Sequence, residues 1–194
     1  MDDLPVGRRT CLYDPEHMVE IIDQMSCKAA ALLHESKNLA IIGVLRRGAP
    51  LANKLTDLLV HRYGFEVPLR LDISVKRYAD DLTLLYPQTN LRENDDIASI
   101  DLAGYTLLIV DDVLYTGNSL FKVVEYLIKK GPKEIYIACL VDRKINTLPI
   151  KAEIIGIDLQ IAYGDVVECH IPPYESEFQI QLLQLDDAKL RESK

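Results

Sequence analysis

The 194-residue sequence contains no apolar run that approaches the roughly 20 residues of a membrane-spanning helix. Its first residues, MDDLPVGRRT, lack the order of a signal peptide, in which a charged stretch precedes an apolar one. We therefore expect a cytoplasmic protein with no membrane partner. The apolar fraction of 48% is typical of a globular protein, and the length predicts a single domain over residues 1–194.

Cysteine and histidine motifs for binding metals are also absent. The four cysteines are scattered without a CxxC pair, and the four histidines show no metal-ligand spacing. A zinc site or a disulfide framework is therefore not expected. Buried free thiols are predicted at the four cysteines, which are Cys11, Cys27, Cys139 and Cys169.

Basic residues are too few to give the molecule a positive face. The formal net charge is -8, whereas broad electrostatic binding to nucleic acid needs an excess of lysine and arginine. RNA binding is therefore doubtful, although a local basic patch stays open. Basic pairs occur at Arg46-Arg47, Lys76-Arg77 and Lys129-Lys130.

Hydrophobic periodicity predicts alternating helices and strands. Asp14-Pro15 has the form of a helix cap followed by proline at the first helical position, and apolar residues recur at helical spacing up to Leu33. Two further helices are predicted at residues 50–61 and 117–130. Apolar or alternating runs predict strands at residues 39–44, 66–74, 105–110 and 134–141, with weaker strand-like segments at 149–157, 161–169 and 178–185.

This alternation predicts an α/β fold with a mostly parallel, twisted core sheet flanked by helices. Ligands of such sheets bind beyond the carboxyl ends of the strands. Three of these ends carry polar residues suited to a small anionic ligand, at 46–48, 76–77 and 111–119. Residues 76–101 show little periodicity, so we expect a long loop there, in which 82–86 could form a hairpin. The end of the chain from Asp186 is expected to fray.

The segment LLIVDDVLYTGNS, residues 107–119, combines features that a fold does not need. Asp111 and Asp112 follow a buried strand, where they repel each other and resist desolvation. The small residues that come next expose backbone N–H groups at a helix start, which can cradle a phosphate, although a Walker loop is absent. Sugar hydroxyls or a divalent cation would engage the carboxylates, so the segment predicts a site for a phosphorylated ribose. The alternatives are a capped helix start and structural aspartates bound to loop amides.

In residue order and in strand–loop–helix context, IVDDVLYTGNS resembles the phosphoribosyl-pyrophosphate motif of type I phosphoribosyltransferases. The blocks LDISVKRYADDL (71–82) and LVDRKINTLPIKAEIIG (140–156) resemble the bifunctional pyrimidine operon regulator/uracil phosphoribosyltransferase. The resemblance spans roughly residues 10 to 185. It implies the type I phosphoribosyltransferase fold, with a small base-binding hood formed by the late C-terminal segment and the N-terminal region. It also implies a homodimer.

The resemblance implies transfer of a phosphoribosyl group from phosphoribosyl pyrophosphate to a nucleobase, with Mg²⁺ as cofactor and a nucleoside monophosphate as product. Asp111 and Asp112 match the acidic pair that holds the ribose hydroxyls. They are also candidate Mg²⁺ contacts, although the substrate would hold most of the metal's coordination. The 5-phosphate loop is matched by Tyr115, Thr116, Gly117, Asn118 and Ser119.

The stretch VLRRGAP (44–50) matches the family's pyrophosphate loop. Its candidate substrate-binding residues are Arg46, Arg47 and Gly48, and Arg47 joins the acidic pair as a candidate catalytic residue. A non-proline cis peptide is expected near Leu45-Arg46. The alternative is a solvated basic pair at a strand end. Residues 76–101 match a mobile loop that closes over the site, in which Arg77 is a candidate substrate contact.

The nucleobase is the harder question. Purine enzymes of the superfamily carry an aspartate at the fifth position counted from the first acidic residue of the motif, where this chain has Tyr115. A tyrosine with a pKa near ~10 is a poor proton shuttle at neutral pH. This favours uracil; a purine (hypoxanthine or guanine) is the alternative, and Tyr115 could simply pack under the loop. The resemblance places the base beneath Ile157, Asp158 and Leu159. Asp142 and Arg143 would orient this hood or form an ion pair.

The chain departs from the family in four places. After LVDR it has Lys144, Ile145, Asn146 and Thr147, where regulatory members carry arginines and a histidine, which puts mRNA binding in doubt. A pyrimidine-operon mRNA-binding regulator with little catalysis is nevertheless kept as a further alternative. Asn118 replaces a residue that is often basic, and YADDL replaces RDDL. The segment VVECHIPPYESEFQIQ is longer than usual.

Overall fold

A computed structural model describes residues 7–76, 90–92, 97, 99–162 and 164–185. Within them, nine strands and three helices have defined bounds. In chain order these are β1 (Gly7–Tyr13), α1 (Pro15–Leu33), β2 (Leu39–Leu45), α2 (Gly48–Tyr63), β3 (Leu69–Lys76), β4 (Asn90–Arg92), β5 (Thr106–Leu114), α3 (Asn118–Ile128), β6 (Glu134–Asp142), β7 (Ile154–Asp158), β8 (Val166–His170) and β9 (Gln179–Leu185).

The larger sheet has the strand order β4-β3-β2-β5-β6-β7. All neighbours are parallel except β4, which runs antiparallel to β3. The prediction of a mostly parallel sheet flanked by helices is confirmed. Because parallel strands end at one edge, the segments that follow β2, β5, β6 and β7 all lie at that edge.

Apolar residues fix the central strand β5 from both faces. Leu108 and Val110 belong to a core cluster with residues of α1 and α2, whereas Leu107 and Ile109 belong to a second cluster with residues of α3. All four side chains are fully buried. Burying each contributes about 1.5–3 kcal/mol relative to exposure. The strand is therefore a rigid mount for the residues at its carboxyl end.

The smaller sheet has the order β1-β9-β8 and is antiparallel. It joins the N-terminal strand to two C-terminal strands, and Arg9 Nε of β1 lies 2.8 Å from Glu168 Oε2 of β8. Ile180 and Cys169 of this sheet pack in the same core cluster as α1. The sequence did not predict β1, because GRRTCLY has neither a continuous apolar run nor a clear alternation.

Helix boundaries follow their caps. Asp14 Oδ1 accepts hydrogen bonds from the backbone N–H groups of Glu16 and His17, both at 3.0 Å, and Pro15 begins α1 as predicted. α2 begins at Gly48, two residues before the predicted start, and ends at Tyr63, where the C-cap Gly64 has a left-handed φ of 72°. Within the described residues, we find no helix with the length and apolarity required to cross a membrane.

Several predicted strands are shorter or longer than the sequence indicated. β3 begins at Leu69, three residues after the predicted start, and Val67 before it is 80% exposed. The segments predicted at 149–157 and 161–169 contract to β7 and β8. β5 continues to Leu114 because its pairing with β6 extends past the apolar run.

Two other predictions have a mixed or untested outcome. All four cysteines are free, but Cys11 and Cys27 are exposed, so burial is correct only for Cys139 and Cys169. Most of the loop predicted at 76–101 lies outside the described residues, and so do the hairpin at 82–86 and the end from Asp186.

Candidate active site

The acidic pair lies inside strand β5, because pairing with β6 carries the strand beyond the apolar run. Asp111 is 8% exposed and stands beside Cys139 of β6. Its Oδ1 accepts a hydrogen bond of 2.9 Å from the backbone N–H of Asp112, whose side chain is half-buried. The strand therefore presents two adjacent carboxyl groups at a fixed place on the sheet edge.

Burial makes ionisation of this pair unfavourable. Desolvation raises the pKa of Asp111 well above its usual value, and the charge of Asp112 adds to that effect. Desolvation also raises the pKa of Asp112, although the positive charge of Arg47 opposes the shift. A ligand that donates hydrogen bonds or brings a cation would relieve both costs, so the pair suits a hydroxyl-bearing or metal-bearing ligand.

The pair lines a cavity of about 210 Å³ at the carboxyl edge of the sheet. The rest of its wall is Val44, Leu45 and the continuous run from Val113 to Leu120. The acidic residues and the predicted phosphate loop thus share one cavity, as the sequence indicated.

The loop between β5 and α3 is held open by a glycine and by hydrogen bonds to the β6–β7 connection. Gly117 has a φ of 86°, a conformation that disfavours any side chain. Asn118 Nδ2 donates to Thr116 Oγ1 at 2.8 Å, and the backbone N–H of Thr147 donates to the Thr116 carbonyl at 3.1 Å. The N-cap of α3 is Gly117, which has no side chain to bind the N–H groups of the first turn. These N–H groups are therefore available to an anion.

The second predicted loop joins β2 to α2 and places two arginines near the acidic pair. The Leu45–Arg46 peptide is cis, as expected from the resemblance. Gly48 lies so close to β5 that a Cβ atom there would stand 2.4 Å from the Val110 carbonyl oxygen and 3.1 Å from Asp111 Cα. Glycine at this position therefore allows the start of α2 to pack directly against the acidic pair.

Arg47 is held by Glu175, a residue of the segment between β8 and β9. Its Nη2 and Nε donate to Glu175 Oε1 at 2.6 and 3.2 Å. Burial lowers the pKa of Arg47, but the hydrogen bond to Glu175 and the charge of Asp112 outweigh it, and the pKa is raised overall. Arg47 therefore remains a cation between two carboxylates. The neighbouring Arg46 guanidinium lies 5.4 Å from the centre of the Tyr174 ring.

On the other side of the cavity, the guanidinium carbon of Arg143 lies 4.5 Å from the centre of the Tyr115 ring. Arg143 is 7% exposed, and its backbone N–H donates to the Leu114 carbonyl at 3.0 Å. Burial lowers the pKa of Arg143, while the phenol of Tyr115 opposes that shift. Arg143 Nε is buried and meets no hydrogen-bond acceptor among the described residues. Tyr115 is thus stacked on a cation, which fixes its ring beside the loop.

The ion pair that the sequence suggested between Asp142 and Arg143 is not formed among the described residues. Asp142 instead accepts hydrogen bonds from Lys144, whose backbone N–H lies 2.8 Å from Oδ1 and whose Nζ lies 2.9 Å from Oδ2. The same Nζ lies 2.7 Å from Asp158 Oδ1. Lys144 has a left-handed φ of 54°, and this turn of the backbone brings Lys144 back to Asp142, two residues before it.

The predicted base-binding residues lie at the same sheet edge, at the ends of β6 and β7, but they do not line the cavity of the acidic pair. The backbone N–H of Leu159 donates to the Asp142 carbonyl at 2.9 Å, and the Ile157 side chain packs in the core. Asp142 faces a separate cavity of about 410 Å³ with Lys144, Asn146 and Lys151. Arg77 lies outside the described residues.

Sequence reasoning missed Tyr174, Glu175 and Thr147. Arg47 and Glu175 are 128 residues apart, and no local pattern connects them. The unusual length of the segment around IPPYESE was the only signal near two of these residues. Thr147 donates to the Thr116 carbonyl through its backbone N–H and its Oγ1, a contact between distant segments that a sequence pattern does not reveal.

The chemistry of the site suits Mg²⁺ shared with a ligand. No group of three or more His, Cys, Asp or Glu residues that could hold a metal occurs in the ranges that the structure describes. Asp111 and Asp112 nevertheless supply hard oxygen donors at the cavity wall, the type that Mg²⁺ prefers. A metal that takes most of its ligands from substrate phosphates and water would fit these two residues.

Comparison with known proteins agrees with this geometry. A family model described as phosphoribosyl transferase domain matches residues 12–176. The bifunctional protein PyrR of Deinococcus radiodurans is 39% identical over 154 residues, which cover 78% of this chain and 82% of the relative. The bifunctional protein PyrR of Thermus aquaticus is 35% identical over 155 residues, with coverages of 79% and 83%.

Solved structures with the same fold include two hypoxanthine phosphoribosyltransferases. The Trypanosoma cruzi protein gives a TM-score of 0.70 at 19% identity and covers 100% of this chain and 99% of its own. The Staphylococcus aureus protein gives a TM-score of 0.68 at 16% identity, with coverages of 93% and 94%. At such identities the likeness concerns the fold alone, whereas the family model covers most of the chain. The chain therefore belongs to the phosphoribosyltransferase family, and its sequence is similar to the bifunctional PyrR proteins.

Proposed function

We propose that this protein transfers the phosphoribosyl group of phosphoribosyl pyrophosphate to uracil, giving UMP and pyrophosphate. One observation carries the proposal: the acidic pair and the loop between β5 and α3 line the same cavity, beside the loop of Arg46 and Arg47, which packs on the same strand. A phosphorylated ribose with a diphosphate at C1 presents a matching set of groups. Its hydroxyls face carboxylates, and its anionic ends face N–H groups and guanidinium groups.

In this proposal each loop has a separate task. Asp111 and Asp112 accept hydrogen bonds from the two ribose hydroxyls. Residues 115–119 bind the 5-phosphate through backbone N–H groups. Arg46 and Arg47 bind the diphosphate, whose negative charge grows as it leaves.

The reaction breaks the bond between C1 and the diphosphate oxygen and forms a bond between C1 and a ring nitrogen of the base, whose proton passes to water or to the departing diphosphate. Its transition state resembles an oxocarbenium ion, so this chain contributes mainly by positioning the reactants and stabilising the leaving group. Arg47 remains cationic for that purpose. Bound Mg²⁺ would add charge neutralisation on the diphosphate, with Asp111 and Asp112 as its nearest protein oxygens.

Tyr115 supports uracil as the base. The position holds a phenol fixed on Arg143, not a carboxylate that could exchange a proton with a purine ring. The resemblance of the blocks at 71–82 and 140–156 to uracil phosphoribosyltransferases points the same way. We also propose that the β1-β9-β8 sheet, which joins both ends of the chain as the resemblance implied, forms the hood over the base.

Steady-state assays with phosphoribosyl pyrophosphate, Mg²⁺ and either uracil, hypoxanthine or guanine test the proposal. We expect uracil to give the highest kcat/KM. Turnover of a purine without turnover of uracil would show that Tyr115 does not select the base. Absence of turnover with all three bases would contradict the proposed reaction.

A further inference from the structure

Glu175 is engaged at both carboxylate oxygens. Its Oε1 accepts from Arg47 Nη2 at 2.6 Å and from Arg47 Nε at 3.2 Å. Its Oε2 accepts from the backbone N–H of Ile171 at 2.7 Å. Burial raises the pKa of Glu175, but the bonds from Arg47 and Ile171 outweigh it and lower the pKa overall. The side chain is therefore a fixed anion.

The segment that carries Glu175 is anchored in the core. Ile171 is fully buried and belongs to the core cluster that includes α1 and α2. The backbone N–H of Tyr174 donates to the Ile171 carbonyl at 3.1 Å, which closes a turn over residues 171–174. Two consecutive residues of this turn region meet two consecutive arginines, since Tyr174 lies beside Arg46 and Glu175 binds Arg47.

Stability alone is a weak reason for this pair. Both side chains are partly exposed, and such ion pairs contribute about 0–1 kcal/mol to folding. Orientation is a stronger reason. A guanidinium carries five N–H donors in one rigid plane, so a carboxylate that binds Nε and Nη2 determines where the rest of that plane points.

We propose that Glu175 is a positioning residue, which holds the Arg47 guanidinium in the orientation that binds the diphosphate of phosphoribosyl pyrophosphate. The inference rests on the proposed function, since it assigns Arg47 to the diphosphate. Glu175 acts through Arg47 and touches no reacting atom. The segment 171–175 thereby links the hood sheet to the pyrophosphate loop.

Glu175→Gln is the most informative variant. The amide keeps the size of the side chain, but its single oxygen cannot accept from both Arg47 and Ile171. Glu168→Gln is the matched control. Glu168 is the same residue type with the same 18% side-chain exposure, and both of its oxygens also bind one arginine, Arg9, at 2.8 and 3.0 Å.

The measurements are calorimetric binding of inorganic pyrophosphate and of UMP, both with Mg²⁺, together with kcat/KM. For Glu175→Gln we expect pyrophosphate to bind about tenfold more weakly and kcat/KM to fall by a similar factor, with UMP affinity unchanged. Because Glu168 lies in the sheet proposed as the hood, the control readout for Glu168→Gln is pyrophosphate binding alone, which is expected to stay within about twofold of wild type. In an Arg47→Ala background, Glu175→Gln should cause no further loss of pyrophosphate binding, because the two residues act as a unit.

Equal pyrophosphate affinity in Glu175→Gln and Glu168→Gln would overturn the inference and leave Glu175 a structural residue. Equal losses of pyrophosphate and UMP affinity would overturn it too, since they would indicate general damage to the site. If Glu175→Gln does not fold, Glu175→Asp keeps the charge and both oxygens but shortens the reach. It should also weaken pyrophosphate binding selectively. A wild-type protein that turns over no base would instead contradict the proposed function itself.

Discussion

Two charged clusters lie at the same edge of the sheet and differ in how their charges are compensated. At the ends of β6 and β7, Asp142 and Asp158 share the ammonium of Lys144 at 2.9 and 2.7 Å. In β5, Asp111 and Asp112 lie side by side, and burial raises the pKa of both. The first cluster is complete within the protein, whereas the second gains from a ligand. We infer that the acidic pair, whose charge the protein compensates only in part through Arg47, is the cluster that serves the reaction.

The largest expected effect comes from removing the charges of the acidic pair. The double variant Asp111→Asn, Asp112→Asn keeps the shape of both side chains but loses the carboxylates that accept from the ribose. We expect kcat/KM with uracil to fall by at least about a thousandfold. Steady-state kinetics measures this, and circular dichroism checks the fold. A double variant with wild-type kcat/KM would show that the pair is structural.

A smaller loss of activity is expected when the loop that carries Arg46 and Arg47 is moved away from β5. In Gly48→Ala the new Cβ would meet the Val110 carbonyl and push the start of α2 away from Asp111. Overpacking of this kind costs about 1–3 kcal/mol of stability, and the displacement should lower kcat/KM roughly tenfold to a hundredfold.

Gly64→Ala is the matched control for that variant. Its φ of 72° makes alanine strained by roughly 1–2 kcal/mol, but no atom lies within 4 Å of the new Cβ. Urea unfolding should show similar destabilisation for both variants, and only Gly48→Ala should lose activity. Equal activity in the two would indicate that the contact between α2 and β5 does not position the site.

The acidic pair should also change how the free energy of unfolding depends on pH. Its folded-state pKa values are raised above the unfolded ones, so the fold favours the protonated forms. The loss of unfolding free energy is absent below the unfolded-state pKa of about 3.9 and grows as the pH rises through the raised pKa values of the folded state. The double asparagine variant should therefore gain about 1–2 kcal/mol over wild type at pH 7 and less at pH 4. Urea unfolding at both pH values measures the difference, and an equal gain at the two would contradict the assignment.

The smallest effect on activity is expected from the compensated cluster. Lys144→Gln removes the ammonium that Asp142 and Asp158 share, and we expect a loss of about 1 kcal/mol in unfolding free energy. Since Lys144 lies outside the cavity of the acidic pair, kcat/KM should stay within about threefold of wild type. A larger loss would mean that the cluster takes part in binding the base.

The parts of this site that could be predicted from the sequence are those encoded in one short stretch. The apolar run, the two carboxylates and the small residues of 107–119 follow each other along the chain, and local rules for strands and helix starts apply to them directly. The cap at Asp14 was predictable for the same reason. The end of β5 was not predictable, because pairing with β6 extends β5 past the apolar run and so brings the two aspartates into the strand.

What could not be predicted depends on contacts between distant segments. Glu175 meets Arg47 only because β8, β9 and the intervening turn fold back onto the start of α2. β1 exists because β9 pairs with it, although its own pattern is weak. Val67 has the residue type of a strand but lies before β3 begins, and its side chain is exposed. Similarly, Asp142 binds Lys144 and not its neighbour Arg143, because the left-handed backbone at Lys144 turns that residue back toward Asp142.

The central claim is that the acidic pair disfavours the bare fold and is stabilised by the phosphorylated ribose. Thermal unfolding with and without phosphoribosyl pyrophosphate and Mg²⁺, in wild type and in the double asparagine variant, tests it most directly. The account predicts that the variant has the higher melting temperature without ligand and that only wild type gains stability when the ligand is added. A lower melting temperature for the bare variant, or an equal ligand-induced shift in both proteins, would contradict it.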